Sequence, residues 1–144
     1  MIIIYKTVLQ KLAEISALKW IDKNKGQLDY AAPPIAMPCA LIRVNLPKCD
    51  DLGGNVQQCI GSFSVTLAFK FGGETSKSTP EAIRNQSLEY YQLVEDVYKK
   101  LQGYSTSELS PFSRKRVDEE IRQDGLILLT MHFETDYQDF TAVV

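Results

Sequence analysis

GSFSVTLAFKF, residues 61–71, is the stretch that decides the fold. Phe63, Val65, Leu67, Phe69 and Phe71 recur at every second position, with Ser62, Ser64, Thr66, Ala68 and Lys70 between them. Strict alternation sends the two sets to opposite faces of a β-strand, so the spacing predicts a strand with one wholly apolar face. It also decides a functional question. A sheet that stacks nucleic-acid bases presents its aromatics to solvent among basic residues. Here the aromatic side carries no charge and reads as core.

C-terminal to this strand, Ser78-Thr-Pro-Glu81 has the form of a capping box and predicts a long helix over 79–102, stopped by Gly103. Its stripe runs through Ile83, Ser87, Tyr91, Val94, Tyr98 and Leu101, widened by Tyr90 and Val97. The tyrosines read as core residues with wet phenol tips. Residues 104–112 read as a loop. Residues 113–122 read as a charged edge strand, Gln123-Asp-Gly125 as a hairpin turn, and Leu126–Glu134 as a returning strand with Ile127, Leu129, Met131 and Phe133 inward. Residues 135–144 read as a tail that orders against a partner.

On the N-terminal side, Ala40, Ile42, Val44 and Leu46 alternate as a second strand, preceded by Pro33, Pro34 and Pro38, which exclude a helix over 31–38. Ile4, Val8, Leu12 and Ile15, with Leu9 beside them, predict a core-facing helix over 3–18. A short strand is expected around Trp20-Ile-Asp22, with a turn at Asn24-Lys-Gly26. Residues 47–60 read as a loop. Its Asp50-Asp51-Leu-Gly53-Gly54 has neither the alternating oxygens of a calcium loop nor the Gly-Lys-Ser/Thr of a phosphate loop. The fold expected is therefore α+β: one antiparallel or mixed sheet with two helices packed on one face, in a single domain over all 144 residues.

Composition excludes some function classes. A net charge of −2 gives no global attraction to nucleic acid. Charge is uneven, with 8 Lys/Arg against 5 Asp/Glu in residues 1–72 (+3) and 8 against 13 in residues 73–144 (−5), a pattern suited to head-to-tail contact between copies. No run reaches bilayer-spanning length and no signal peptide is evident, so no membrane partner is expected. Cys39, Cys49 and Cys59 are an odd number, which gives no disulfide framework, and their spacing of ten has no metal-site logic; reduced thiols are expected. His132 is the sole histidine and lies on the outer face of its strand without a nucleophile elbow nearby. Asp118-Glu-Glu120 splits across two strand faces and reads as a solvated edge. The expectation is no catalytic residue, no metal and no cofactor. Contact to other copies or partners is instead assigned to the edge row Arg114, Arg116, Asp118 and Glu120, with Lys115, and to Asp50 and Asp51 in the 47–60 loop.

The order of segments resembles the tail-terminator (tail-completion) proteins of tailed bacteriophages. The resemblance rests on the opening Ile4–Leu18 helix, Lys19-Trp-Ile-Asp22, Pro38-Cys-Ala-Leu-Ile42, and Gly125 before the final apolar strand. It implies a ferredoxin-like α+β fold of tail-terminator type and a ring, often a hexamer. Such a ring caps the tail tube, stops its growth and joins it to the head-connector protein. It implies no catalytic residues, and residence in the host cytoplasm during assembly and then in the virion tail. Two other classes are weighed against it: an enzyme on a ferredoxin-like sheet, and a binding module for small molecules, protein or RNA. The first lacks a convergent polar cluster and the second lacks outward aromatics and basic charge.

Overall fold

A computed structural model of the chain describes residues 1–31, 33–70 and 73–144. Helix α1 (Ile2–Leu12) precedes β1 (Trp20–Lys23), a 3₁₀ turn (Gln27–Asp29), β2 (Cys39–Gly53) and β3 (Val56–Lys70). Helices α2 (Glu81–Ser87) and α3 (Tyr90–Leu101) follow, then β4 (Ser113–Ile121) and β5 (Leu126–Asp139). The strands form one five-stranded sheet in the order β1-β2-β3-β5-β4, with β1 parallel to β2 and the other pairs antiparallel. This is an α+β fold with a mixed sheet, as the sequence predicts. The ferredoxin-like part of the expectation does not match the element order, because no α-helix separates β1 from β2 and three strands run in succession before α2.

The alternation at 61–70 holds: Phe63, Val65, Leu67 and Phe69 are all buried beneath the helices, while Phe71 lies outside the described residues. Phe63 stacks on Phe133 of the neighbouring strand, centroids 5.0 Å apart, and takes the edge of Phe112 at 4.9 Å. From α1, Ile4, Val8 and Leu12 close the same core, and from α3, Leu93, Val94, Val97 and Leu101. Helix α1 ends at Leu12 rather than 18. The chain then tightens into successive three-residue turns (Glu14 N–H to Lys11 O, Ile15 N–H to Leu12 O, Leu18 N–H to Ile15 O), which still bury Ile15 and Leu18.

The single long helix predicted over 79–102 is two. Helix α2 begins after Pro80, whose side chain offers no capping acceptor, and the Ser78 hydroxyl, two residues before that position, lies 3.0 Å from that of Ser76. It buries nothing, and Ile83 is exposed. At its end the Ser87 hydroxyl donates to the Ile83 carbonyl, and Leu88 and Glu89 close tight turns before α3 restarts. The 104–112 segment contributes core that sequence reading missed, in Leu109 and Phe112. The outer sheet face is also covered in part: Leu28, Cys39, Leu41 and Ala68 form a second small core, with Ile35, Met37 and Leu128 packed on it.

The largest correction concerns 47–60, which is a strand hairpin and not a loop. Strands β2 and β3 run on past the helices, with Asp50 opposite Gln58 and Asp51 opposite Gln57. Gly54 (φ 61°) and Asn55 (φ 63°) make the turn, and positive φ at both central residues is the I′ geometry that suits a two-residue hairpin. A register shift between Asn45 and Lys48 accommodates Pro47, which has no N–H for a ladder. Strand β5 follows the arm to Asp139, so the first half of the expected 135–144 tail is strand, with Thr135 and Tyr137 buried.

A methyl added at Gly61 would sit 2.5 Å from the Ile4 Cδ1, and Ile4 has no solvent to retreat into. Gly61→Ala is therefore expected to cost about 1–3 kcal/mol through overpacking. Phe63→Ala should cost roughly 3–5 kcal/mol through the cavity it leaves. Urea unfolding of both variants measures these losses; a loss below about 1 kcal/mol for Phe63→Ala would contradict the core assignment.

Candidate assembly surface

The two long edges of the sheet differ in charge pattern and in cover. On one side, β1 pairs with β2 over Cys39–Ile42, so among the described residues Arg43 to Gly53 of β2 has β3 as its only strand neighbour. On the other, β4 is the outermost strand, and everything from Lys115 to Ile121 is exposed. An open strand edge carries unpaired backbone donors and acceptors, and charges along it restrict what can pair there.

The predicted row Arg114, Arg116, Asp118, Glu120 is interrupted. A bulge falls between Arg114 and Arg116, so Arg114 stands opposite Phe133 on the helix side, whereas Arg116, Asp118 and Glu120 stand opposite His132, Thr130 and Leu128 on the outer side. Lys115 is the inserted residue, and one extra residue reverses the facing of what precedes it. The Arg114 guanidinium lies 3.8 Å from the Tyr98 ring centroid on α3, a cation–π contact that removes it from the outer row.

The outer face carries a compact polar cluster. Arg116 Nε donates to Asp118 Oδ2 at 2.8 Å, and His132 Nε2 lies 3.3 Å from the same oxygen and 3.2 Å from an Arg116 terminal nitrogen. Arg116 can only donate, so a neutral His132 accepts from it through the Nε2 lone pair. On the helix face, Glu119 accepts the hydroxyls of Tyr90 (2.6 Å) and Tyr91 (2.9 Å), which ties α3 to the edge strand. Val117 and Ile121, on that same face, are 40% and 64% exposed, and place apolar surface between the charges.

Asp50 and Asp51 are exposed on the β2 arm, at the opposite edge from β4, so one copy does not bring them to Arg114–Glu120. Asp50 pairs with Lys48 at 3.5 Å, and Asp51 accepts from Gln57 Nε2 at 3.0 Å. Sequence reading missed Arg122. Its guanidinium donates to the carbonyls of Leu28 and Tyr30 and pairs with Asp124, holding the β4–β5 turn against the crossover that covers the outer face. Among the described residues, no group of three or more His, Cys, Asp and Glu side chains is placed to hold a metal ion. No described helix is long and apolar enough to cross a membrane.

No family description and no curated protein sequence matches this chain. Among solved structures, the fold is similar to that of a chain in "Virion of native gene transfer agent (GTA) particle", with a TM-score of 0.56 at 11% identity over 92% of each chain. At that identity the likeness is one of fold.

Burial raises the Tyr90 hydroxyl pKa well above its usual range, helped by the Glu119 carboxylate, and burial pushes Tyr137 up to about 12. Both phenols are favoured neutral in the folded state. Their contribution is thus fully present below the unfolded tyrosine value of about 10 and is lost as pH rises toward the folded values. Stability by urea unfolding should fall between about pH 9.5 and 12, and Tyr90→Phe should fall less steeply over that interval. Equal slopes for both proteins would contradict the assignment of Tyr90.

Proposed function

We propose that this protein is a virion structural protein, and specifically a tail-completion protein: a ring that caps the tail tube and joins it to the head connector. The observation that carries the reading is the fold likeness to a virion chain over 92% of both chains. The segment order that resembles tail terminators supports the finer role. The work assigned to the protein is contact rather than catalysis.

The edges suggest how copies meet. Strand β4 of one copy laid antiparallel beside the β2 arm of the next brings Asp118 to Lys48 and Arg116 to Asp50. All four side chains are on the outer face, and they already form the intrachain pairs Lys48–Asp50 and Arg116–Asp118. Joining two different edges is a heterologous contact, which generates a ring when the rotation closes. The charges select register and partner more than they add affinity.

Deleting the gene from the element that encodes it and imaging the particles tests the role. Overlong tails, or heads and tails left unjoined, are expected; normal tails of uniform length on heads would refute it. Within the ring, Asp118→Lys should abolish joining, and adding Lys48→Asp in the same chain should restore it. Both residues are exposed, so folding should change by no more than about 1 kcal/mol. Failure of the second change to rescue would remove this edge pairing.

A further inference from the structure

The β2–β3 arm brings two of the three cysteines face to face. Cys49 on β2 is the direct antiparallel partner of Cys59 on β3. Directly opposed residues have Cα atoms about 4.5–5.5 Å apart. That lies inside the span of about 4.4–6.8 Å that a disulfide bridges. Register is continuous from this pair through Asp50/Gln58 and Asp51/Gln57 toward the turn. The Cys49 thiol is near enough to add to the rise that burial gives the Cys59 pKa. Cys49 is exposed and Cys59 buried, while Cys39 is sealed in the second small core on the outer face, its pKa raised by burial to about 11.

We propose that Cys49 and Cys59 are a reversible dithiol–disulfide site, oxidised by a low-molecular-weight disulfide such as glutathione disulfide, that staples the projecting β2–β3 arm. Exposure assigns the order of events. The Cys49 thiolate attacks one sulfur of the oxidant, breaking its S–S bond and releasing one glutathione thiolate. The Cys59 thiolate then attacks the Cys49 sulfur of the mixed disulfide, forming the cross-strand bond and expelling the second glutathione thiolate. The two protein thiols are oxidised, one disulfide is reduced to two thiols, and the two protons lost by the cysteines go to the glutathione thiolates. Burial raises the Cys59 pKa, as does the neighbouring Cys49 thiol, which lowers the thiolate fraction available for the second step. Cys39, without access, stays reduced.

The bond would pin the base of an arm whose outer end, residues 51–55, is exposed. Its biological consequence rests on the virion reading: a particle assembled among reducing thiols and then released outside the cell would acquire the staple on exit. The thiol chemistry does not rest on that reading and is tested on the isolated 144-residue chain. Protein equilibrated with glutathione disulfide is unfolded in denaturant and its free thiols are counted. The count should fall from three to one, with peptide mapping placing the bond between residues 49 and 59. Cys39→Ser should fall from two to none, and Cys49→Ser should stay at two. Retention of all three thiols, a stable glutathione adduct at Cys49, or a Cys49-linked dimer would overturn the proposal.

Discussion

Strand β3 is the constraint on which the rest of the structure depends. It is hydrogen-bonded on both sides nearly throughout, to β2 from Val56 to Ala68 and to β5 from Gln57 to Lys70. A slip of one residue in either ladder would turn Phe63, Val65, Leu67 and Phe69 away from the helices and expose four large side chains at once. The Phe63–Phe133 stack locks one of those ladders. Placement of α1 follows from the same strand, because Gly61 is the point where Ile4 approaches the sheet too closely for any side chain. The arm also follows, since β3 enters the core already paired to β2.

What could be read from the residues is what repeats. The alternation around Phe63 and the 3–4 spacing of Ile4, Val8 and Leu12 are set by burial, and burial leaves a periodic trace. Single-residue events leave little. The bulge at Lys115 sits in a run of basic residues with no Gly or Pro to mark it, yet it moves Arg114 from the charged row onto Tyr98. The helix break at Leu88 lies in a stretch whose stripe looks continuous, and only the exposure of Ile83 shows that α2 is not held by the core. The arm was legible in part: Gly54-Asn55 is a hairpin dipeptide, but the charged and polar residues around it hide strands whose buried side shows only at Cys59. At the assembly surface, the charged edge and its position were readable. The separation of Asp50 and Asp51 to the far edge was not, because it depends on strand order.

The two open edges carry the functional account. An exposed strand edge invites pairing, and two such edges among the described residues are lined with basic residues followed by acidic ones. Such edges resist unselective association, because a wrong register sets like charges together. Exposed Val117 and Ile121 add apolar area on the helix face of β4. The tie from Glu119 to Tyr90 and Tyr91 keeps that strand seated on α3. A strand held in place in this way would lower the ordering cost of the proposed assembly.

Position in the assembled particle is the most direct test. Electron microscopy of particles carrying a small epitope on the exposed C-terminus, labelled with gold-tagged antibody, reads it without reference to any mutant. Label is expected at one place on each particle, where the tail meets the head. Label spread along the tail, on the head shell, or absent from purified particles would contradict it.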